Sequence, residues 1–301
     1  NALDANTTGS AHVAVGHHAL SANTTGAQNT AVGIYALEST TTGSYNVSTG
    51  KSALAGNTTG ANNTGVGYHA LRTNTTASNN VAFGKSALEL NTTGGQNTAV
   101  GSNALDANTQ GNYNSALGYG SLGANTTGNN NTALGYHSLK LATTASHNTS
   151  VGHASSESIT TGTNNTAVGR AALGSTTTAD NNTAIGYYAL VANTTGADNT
   201  AAGANALDAN TTGNYNSAFG THALSANTGG QRNVALGRGT LASNTTGSYN
   251  IGVGYAALST QETANSNTAV GDYAARLNTT GENNVAVGTQ ALYANTTADN
   301  N

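Results

Sequence analysis

Apolar and polar positions along this chain repeat every 17 residues and never slip. Counted from Val13, with the columns of the repeat numbered one to seventeen, the unit reads T-A-V-G-x-x-A-L-x-A-N-T-T-G-x-x-N. Glycine keeps column four from Gly16, Gly33 and Gly50 to Gly288, and asparagine keeps column seventeen from Asn29 to Asn301. Column three is a branched or aromatic apolar residue nearly throughout, as in Val15, Val32, Phe83, Leu117 and Ile185, and column eight is Leu with the exceptions of Ser156 and Ala275. A short fixed period makes each unit one layer of a stack, because no single unit can bury its apolar side alone. Gly at column four and Asn-Thr-Thr-Gly at eleven to fourteen leave no room for a useful helix. The T-A-V and A-L stretches instead predict β-strands of three to five residues, with Gly and Asn at the corners. The fold class read from the pattern is all-β: a parallel β-solenoid, or β-roll, of nearly eighteen coils. Residues 1–12 form a partial coil and 13–301 seventeen complete ones, in a single elongated domain read as part of a longer fibre. At ~4.8 Å per coil the rod would be on the order of 85 Å long.

Stacking turns columns into ladders. Asn at columns eleven and seventeen is expected to hydrogen-bond to its counterpart one coil away, and Thr at column twelve to do the same. Columns two and seven hold Ala, Ser, Gly or, once, Thr240. With one Val and one Leu of apolar bulk per coil, the interior looks thin. The small residues at columns two, four and seven are therefore expected to form a face that packs against other chains, most simply around a three-fold axis. The alternative is a monomer whose tight interior has no space for larger groups.

Charge changes the picture by its scarcity. Charged residues are 7% of the chain and the formal net charge is −4, so no basic stripe exists to hold phosphates and no nucleic-acid partner is expected. Nearly all charges fall at columns five, nine, fifteen and sixteen, which marks these as the solvent side; Glu262 at column twelve is the outlier. Cysteine is absent, removing disulfides and thiolate metal sites. No apolar run is long enough to cross a bilayer, so no membrane insertion of this segment is expected. Neither Asn1 nor Asn301 looks like a polar cap, an arrangement expected where the segment continues into other domains or stacks end to end.

The segments Asn29-Thr30-Ala31-Val32-Gly33, Asn97-Thr98-Ala99-Val100-Gly101 and Asn182-Thr183-Ala184-Ile185-Gly186, each followed two residues later by Ala-Leu, carry a resemblance. They are similar to the repeats in head domains of YadA-like trimeric autotransporter adhesins, and the full unit with N-T-T-G resembles repeats of bacterial and phage tail-fibre proteins. The resemblance spans the chain. It implies a trimeric left-handed β-roll, extracellular on a cell surface or a virion, acting as stalk or adhesive head. The period here is longer than in the adhesins, and no neck, coiled-coil stalk, anchor or chaperone segment is seen.

Candidate chemistry is sparse. The eight histidines sit mostly at columns five and six, and His137, His147 and His153 form the closest group without matching columns, so no metal site is expected. Asp4, Asp106 and Asp208 recur at column nine but stand several coils apart, giving no paired carboxylates. Phosphate-loop and calcium-turn patterns are missing. No enzyme activity and no cofactor is expected. Tyrosines at columns five and six, namely Tyr35, Tyr68, Tyr119, Tyr136, Tyr187, Tyr188, Tyr255 and Tyr273, are the candidate contact surface, because exposed aromatics stack on sugars or bury in a partner. The Asn-Thr-Thr runs also satisfy the N-x-T pattern, making Asn23, Asn57, Asn74, Asn91, Asn125, Asn193, Asn210, Asn244, Asn278 and Asn295 candidate glycan acceptors.

These readings combine into a non-catalytic structural and adhesive fibre segment whose partners are itself, as homotrimer or filament, and a host surface or glycan. The alternatives are a filament subunit stacking end to end, or a solenoid that binds ice or polysaccharide through its Thr and Asn ladders.

Overall fold

The computed structural model describes residues 1–301. The chain forms two compact units, 1–148 and 149–301, divided between column seventeen of one coil and column one of the next. The first unit holds β1 (Val13–Val15) to β8 (Thr132–Leu134), and the second β9 (Thr149–Val151) to β17 (Val285–Val287), every strand three residues long. Within each unit a strand pairs in parallel with the next at the 17-residue step: Ala14 lies beside Ala31 in the first unit and Ala167 beside Ala184 in the second. Both units are therefore parallel β-solenoids. The side chains of a strand alternate between its two faces, and here column two points inward while columns one and three point out.

Two expectations about this cross-section are corrected. Only columns one to three are strand; the A-L stretch is turn, with column six and column eight both left-handed. Leu20, Leu37 and Leu54 have φ of 52°, 51° and 51°, a region that costs a side-chain-bearing residue roughly 1–2 kcal/mol. The conformation is held by hydrogen bonds between coils, such as Leu20 N–H to Ala36 O at 3.0 Å and Leu37 N–H to Ala53 O at 3.1 Å. It also directs the Leu side chain inward, where the column-eight leucines from Leu20 to Leu258 are completely buried.

The second correction concerns which apolar column is inside. The core is Ala of column two, Ala of column seven and Leu of column eight, as in Ala31, Ala36 and Leu37, each 0% exposed. Columns two and seven are small because they face each other across one chain's narrow interior, and so do not form an outward face for other chains. Where column two is Ser, the buried hydroxyl is satisfied across that gap: Ser48 Oγ donates to Ala53 O and Ser150 Oγ to Ser155 O, both at 2.8 Å. Column three, expected in the core, is on the surface; Phe83, Leu117 and Ile185 are 44%, 47% and 46% exposed. Column four is glycine for stacking. Gly101 has φ of +136°, and a Cβ there would lie 2.5 Å from Gly118 O, so neither the backbone nor the next coil accepts a side chain.

The ladders form, with a division of labour. Column eleven pairs amide to amide: Asn74 Nδ2 donates to Asn57 Oδ1 at 2.9 Å and Asn91 Nδ2 to Asn74 Oδ1 at 2.8 Å. Column seventeen instead serves the backbone of the next coil. Asn46 Oδ1 accepts from Asn63 N–H at 3.0 Å while Asn46 Nδ2 donates to Gly60 O at 2.9 Å. Column twelve hydroxyls donate to the carbonyl one coil on, as Thr58 Oγ1 does to Thr75 O at 3.0 Å. Buried amides are thus paired at nearly every level, which is the condition for keeping them inside.

Candidate functional site

Each coil presents three outward surfaces: the strand face of columns one and three, the turn side of columns five to ten, and the side of columns twelve to sixteen. The strand face carries Thr, Val, Ile or Ser at column one and Val, Leu, Ile or Phe at column three, with Thr49 and Ala202 as exceptions in column three. No charged residue occurs in either column. In the first unit Val15, Val32, Phe83, Leu117 and Leu134 line it; in the second, Val168, Ile185, Phe219, Leu236 and Val287 do so. Every Lys, Arg, Asp and Glu lies outside the buried set, and these charges border the other two sides.

The turn side carries the eight candidate tyrosines, which gather into separate patches. Tyr35 packs edge-on to His17, with ring centroids 5.7 Å apart, and Tyr68 stacks on His69 at 3.7 Å. Tyr119 and Tyr136 stand parallel at 5.6 Å, with His137 against Tyr136 at 3.9 Å. Tyr187 and Tyr188 meet edge-on at 4.2 Å beneath the Arg170 guanidinium, which lies 5.7 and 5.5 Å from their centroids. Tyr255 and Tyr273 meet edge-on at 5.1 Å, covered by Arg238 and Arg276 respectively.

The column-sixteen aromatics escaped the sequence reading. Tyr45, Tyr113, Tyr215 and Tyr249 are the most exposed tyrosines of the chain. Arg232 lies between Tyr215 and Tyr249, 5.3 and 5.4 Å from their centroids, and donates to Tyr249 Oη at 2.7 Å. The signal was the one-coil spacing of Tyr215, Arg232 and Tyr249, visible once column sixteen is read as a rank.

Ionisable groups also stack more than expected. Glu89 and Asp106 occupy column nine in adjacent coils, so the acids are not all isolated. Glu89 is held by Arg72 Nε at 3.0 Å and by His69 Nδ1 at 3.3 Å. Burial raises the Asp106 carboxyl above its usual range, against backbone hydrogen bonds that lower it, with Glu89 adding a smaller upward push. Asp208 is likewise raised by burial, and its Oδ1 is buried without a hydrogen-bond partner. No three His, Asp or Glu side chains are grouped to hold a metal ion.

The glycan-acceptor expectation is corrected. Asn23, Asn57, Asn74, Asn91, Asn125, Asn193, Asn210, Asn244 and Asn278 are completely buried, and their Nδ2 atoms are the ladder donors; Asn125 Nδ2, for example, donates to Asn108 Oδ1 and Gly128 O. A sugar on Nδ2 has no space and would remove both bonds. Asn295, half-buried in the last coil, donates in the same way to Asn278 Oδ1 and Ala298 O. Neither a family model nor a curated protein sequence matches this chain.

Proposed function

We propose that this chain is a non-catalytic structural and adhesive segment of an extracellular fibre, displayed on a cell surface or a virion, that assembles with copies of itself, most simply as a trimer of left-handed coils. The observation that carries this reading is the exposed apolar rank of column three, flanked by the uncharged Thr, Ser, Val and Ile of column one. Monomeric proteins rarely leave such a rank of Val, Leu, Ile and Phe side chains in water. A second copy of the same chain offers an identical rank of side chains at the same spacing, so copies match coil for coil. Three strand faces meeting around an axis would cover one another and leave the tyrosine-bearing sides outward, available to a host surface or glycan. Coil-to-coil ladders along each unit supply stiffness.

An ice- or polysaccharide-binding role through the Thr and Asn ladders finds less support. The column-twelve hydroxyls are donated to carbonyls, as in Thr92 Oγ1 to Thr109 O at 2.9 Å, and the Asn side chains are inside. Analytical ultracentrifugation of the 301-residue chain across a dilution series tests the proposal. A discrete trimer is the expected result. A monomer at all concentrations would overturn it, and open-ended growth would replace it with an end-to-end filament.

A further inference from the structure

On the turn side of the first unit, the coil spanning 115–131 differs from all others in having glycine at both column six and column nine, Gly120 and Gly123. Neither glycine is demanded by the backbone. Column six is left-handed in every coil, yet holds His69, Asn103 and His137 at φ of 60°, 57° and 53°. Column nine holds residues as large as Arg72 and Glu89. What the two glycines do is clear space: a Cβ on Gly120 would lie 3.0 Å from His137 Cδ2, and one on Gly123 would lie 3.3 Å from Asp106 Oδ1.

The space is a groove of about 440 Å³, within the roughly 300–1,000 Å³ of small-molecule sites. The parallel rings of Tyr119 and Tyr136, tilted only 13° from each other, line it together with Leu141 and with His137, which packs against Tyr136. Asp106 and Asn103 line it from the preceding coil and Lys140 from the following one. Aromatic faces beside a carboxylate, an amide and an ammonium suit a ligand that is apolar on one face and rich in hydroxyls around its edge. A pyranose has that form. Its C–H face packs on an electron-rich ring, while a carboxylate accepts from two hydroxyls and an ammonium donates to a third oxygen. The lining carries one carboxylate and one ammonium, with the His137 imidazole beside them; that near balance favours a neutral sugar over an acidic one.

We propose that the groove at Gly120 and Gly123 is a binding subsite for a neutral pyranose residue of a glycan, with Tyr119 and Tyr136 as stacking platform and Asp106 as hydroxyl acceptor. The site rests on the adhesive part of the reading above and gives it a place and a ligand class. Saturation-transfer NMR of the intact chain with methyl glucosides, methyl galactosides and N-acetylglucosamine tests it. At least one should bind saturably, with transfer strongest to the ring protons of a single face. Asp106→Asn should weaken that binding by roughly tenfold or more, the scale of a lost hydrogen bond to a charged group. Gly123→Arg, a residue that column nine accepts elsewhere, should abolish it while the chain still melts cooperatively. Absence of saturable binding to all three probes, or binding that survives Gly123→Arg, would overturn the site. Sedimentation of the same samples reads assembly separately, so a failed sugar site and a failed fibre are distinguishable.

Discussion

Thr240 and Gly252 share one gap in the interior: a Cβ on Gly252 would lie 2.5 Å from Thr240 Cγ2. Thr240 stands at column seven, where most coils have Ala, and Gly252 at column two of the next coil, also an Ala position in most coils. The extra methyl on one side is matched by a missing one on the other. Gly252→Ala alone should therefore destabilise by about 1–3 kcal/mol through overpacking. Combined with Thr240→Ala it restores the usual Ala pair and should be at least as stable as the parent. Urea unfolding of the full double-mutant cycle measures the coupling; simple additivity would contradict this account of the packing.

Asn23 Oδ1 is buried without a partner because the next coil has Thr40 at column eleven, and Asn57 Nδ2 reaches Thr40 Oγ1 only at 3.4 Å. Thr40→Asn supplies the missing donor and a better acceptor, and should stabilise by about 1–2 kcal/mol. Gln261 shows that the column tolerates a longer amide, since its Nε2 still donates to Ala264 O at 3.0 Å. A midpoint in urea that stays the same or falls would contradict the ladder argument.

Every cross-coil bond depends on a constant step. Deletion of one whole coil, residues 64–80, should leave a folded chain melting within a few degrees of the parent. Insertion of one alanine between Gly101 and Ser102 misaligns each rank beyond it and should abolish the cooperative melt of the first unit. Equal melting of the two variants would show that register is not what holds the coils.

Asp208 has a carboxyl raised above 3.8 by burial in the folded chain. Between the unfolded and folded values the native state holds more protons, so stability falls as pH rises through that window. Asp208→Asn should accordingly raise Tm at neutral pH, and the gap from the parent should close as pH drops through the carboxylate range. A gap that is constant or widens on acidification would place the effect elsewhere.

The period, the coil boundaries and the ladders were legible because an unbroken 17-residue step forces like residues together. The orientation of the strand was not. Alternation in T-A-V says that columns one and three share a face and column two the other, but not which face is inside. Side-chain size pointed to Val; the cross-section decided for Ala, because Ala31, Ala36 and Leu37 already fill it. The left-handed φ of Leu at column eight had no local signal either, since glycine, asparagine, aspartate and histidine favour that conformation and leucine does not. The Tyr119–Tyr136 groove was half legible: the tyrosines stood out, whereas Gly120 and Gly123 gain meaning only once Asp106 and His137 are seen beside them.

Placement of a thiol on the strand face tests the central claim most directly, and the chain has no cysteine of its own. Leu117→Cys puts one at column three and Tyr113→Cys a reference at column sixteen, both at exposed positions. If copies meet through columns one and three, Leu117→Cys should react with a maleimide far more slowly than Tyr113→Cys in concentrated solution, and as fast once diluted below the association range. Equal rates at every concentration would contradict the account and leave the apolar face open to water.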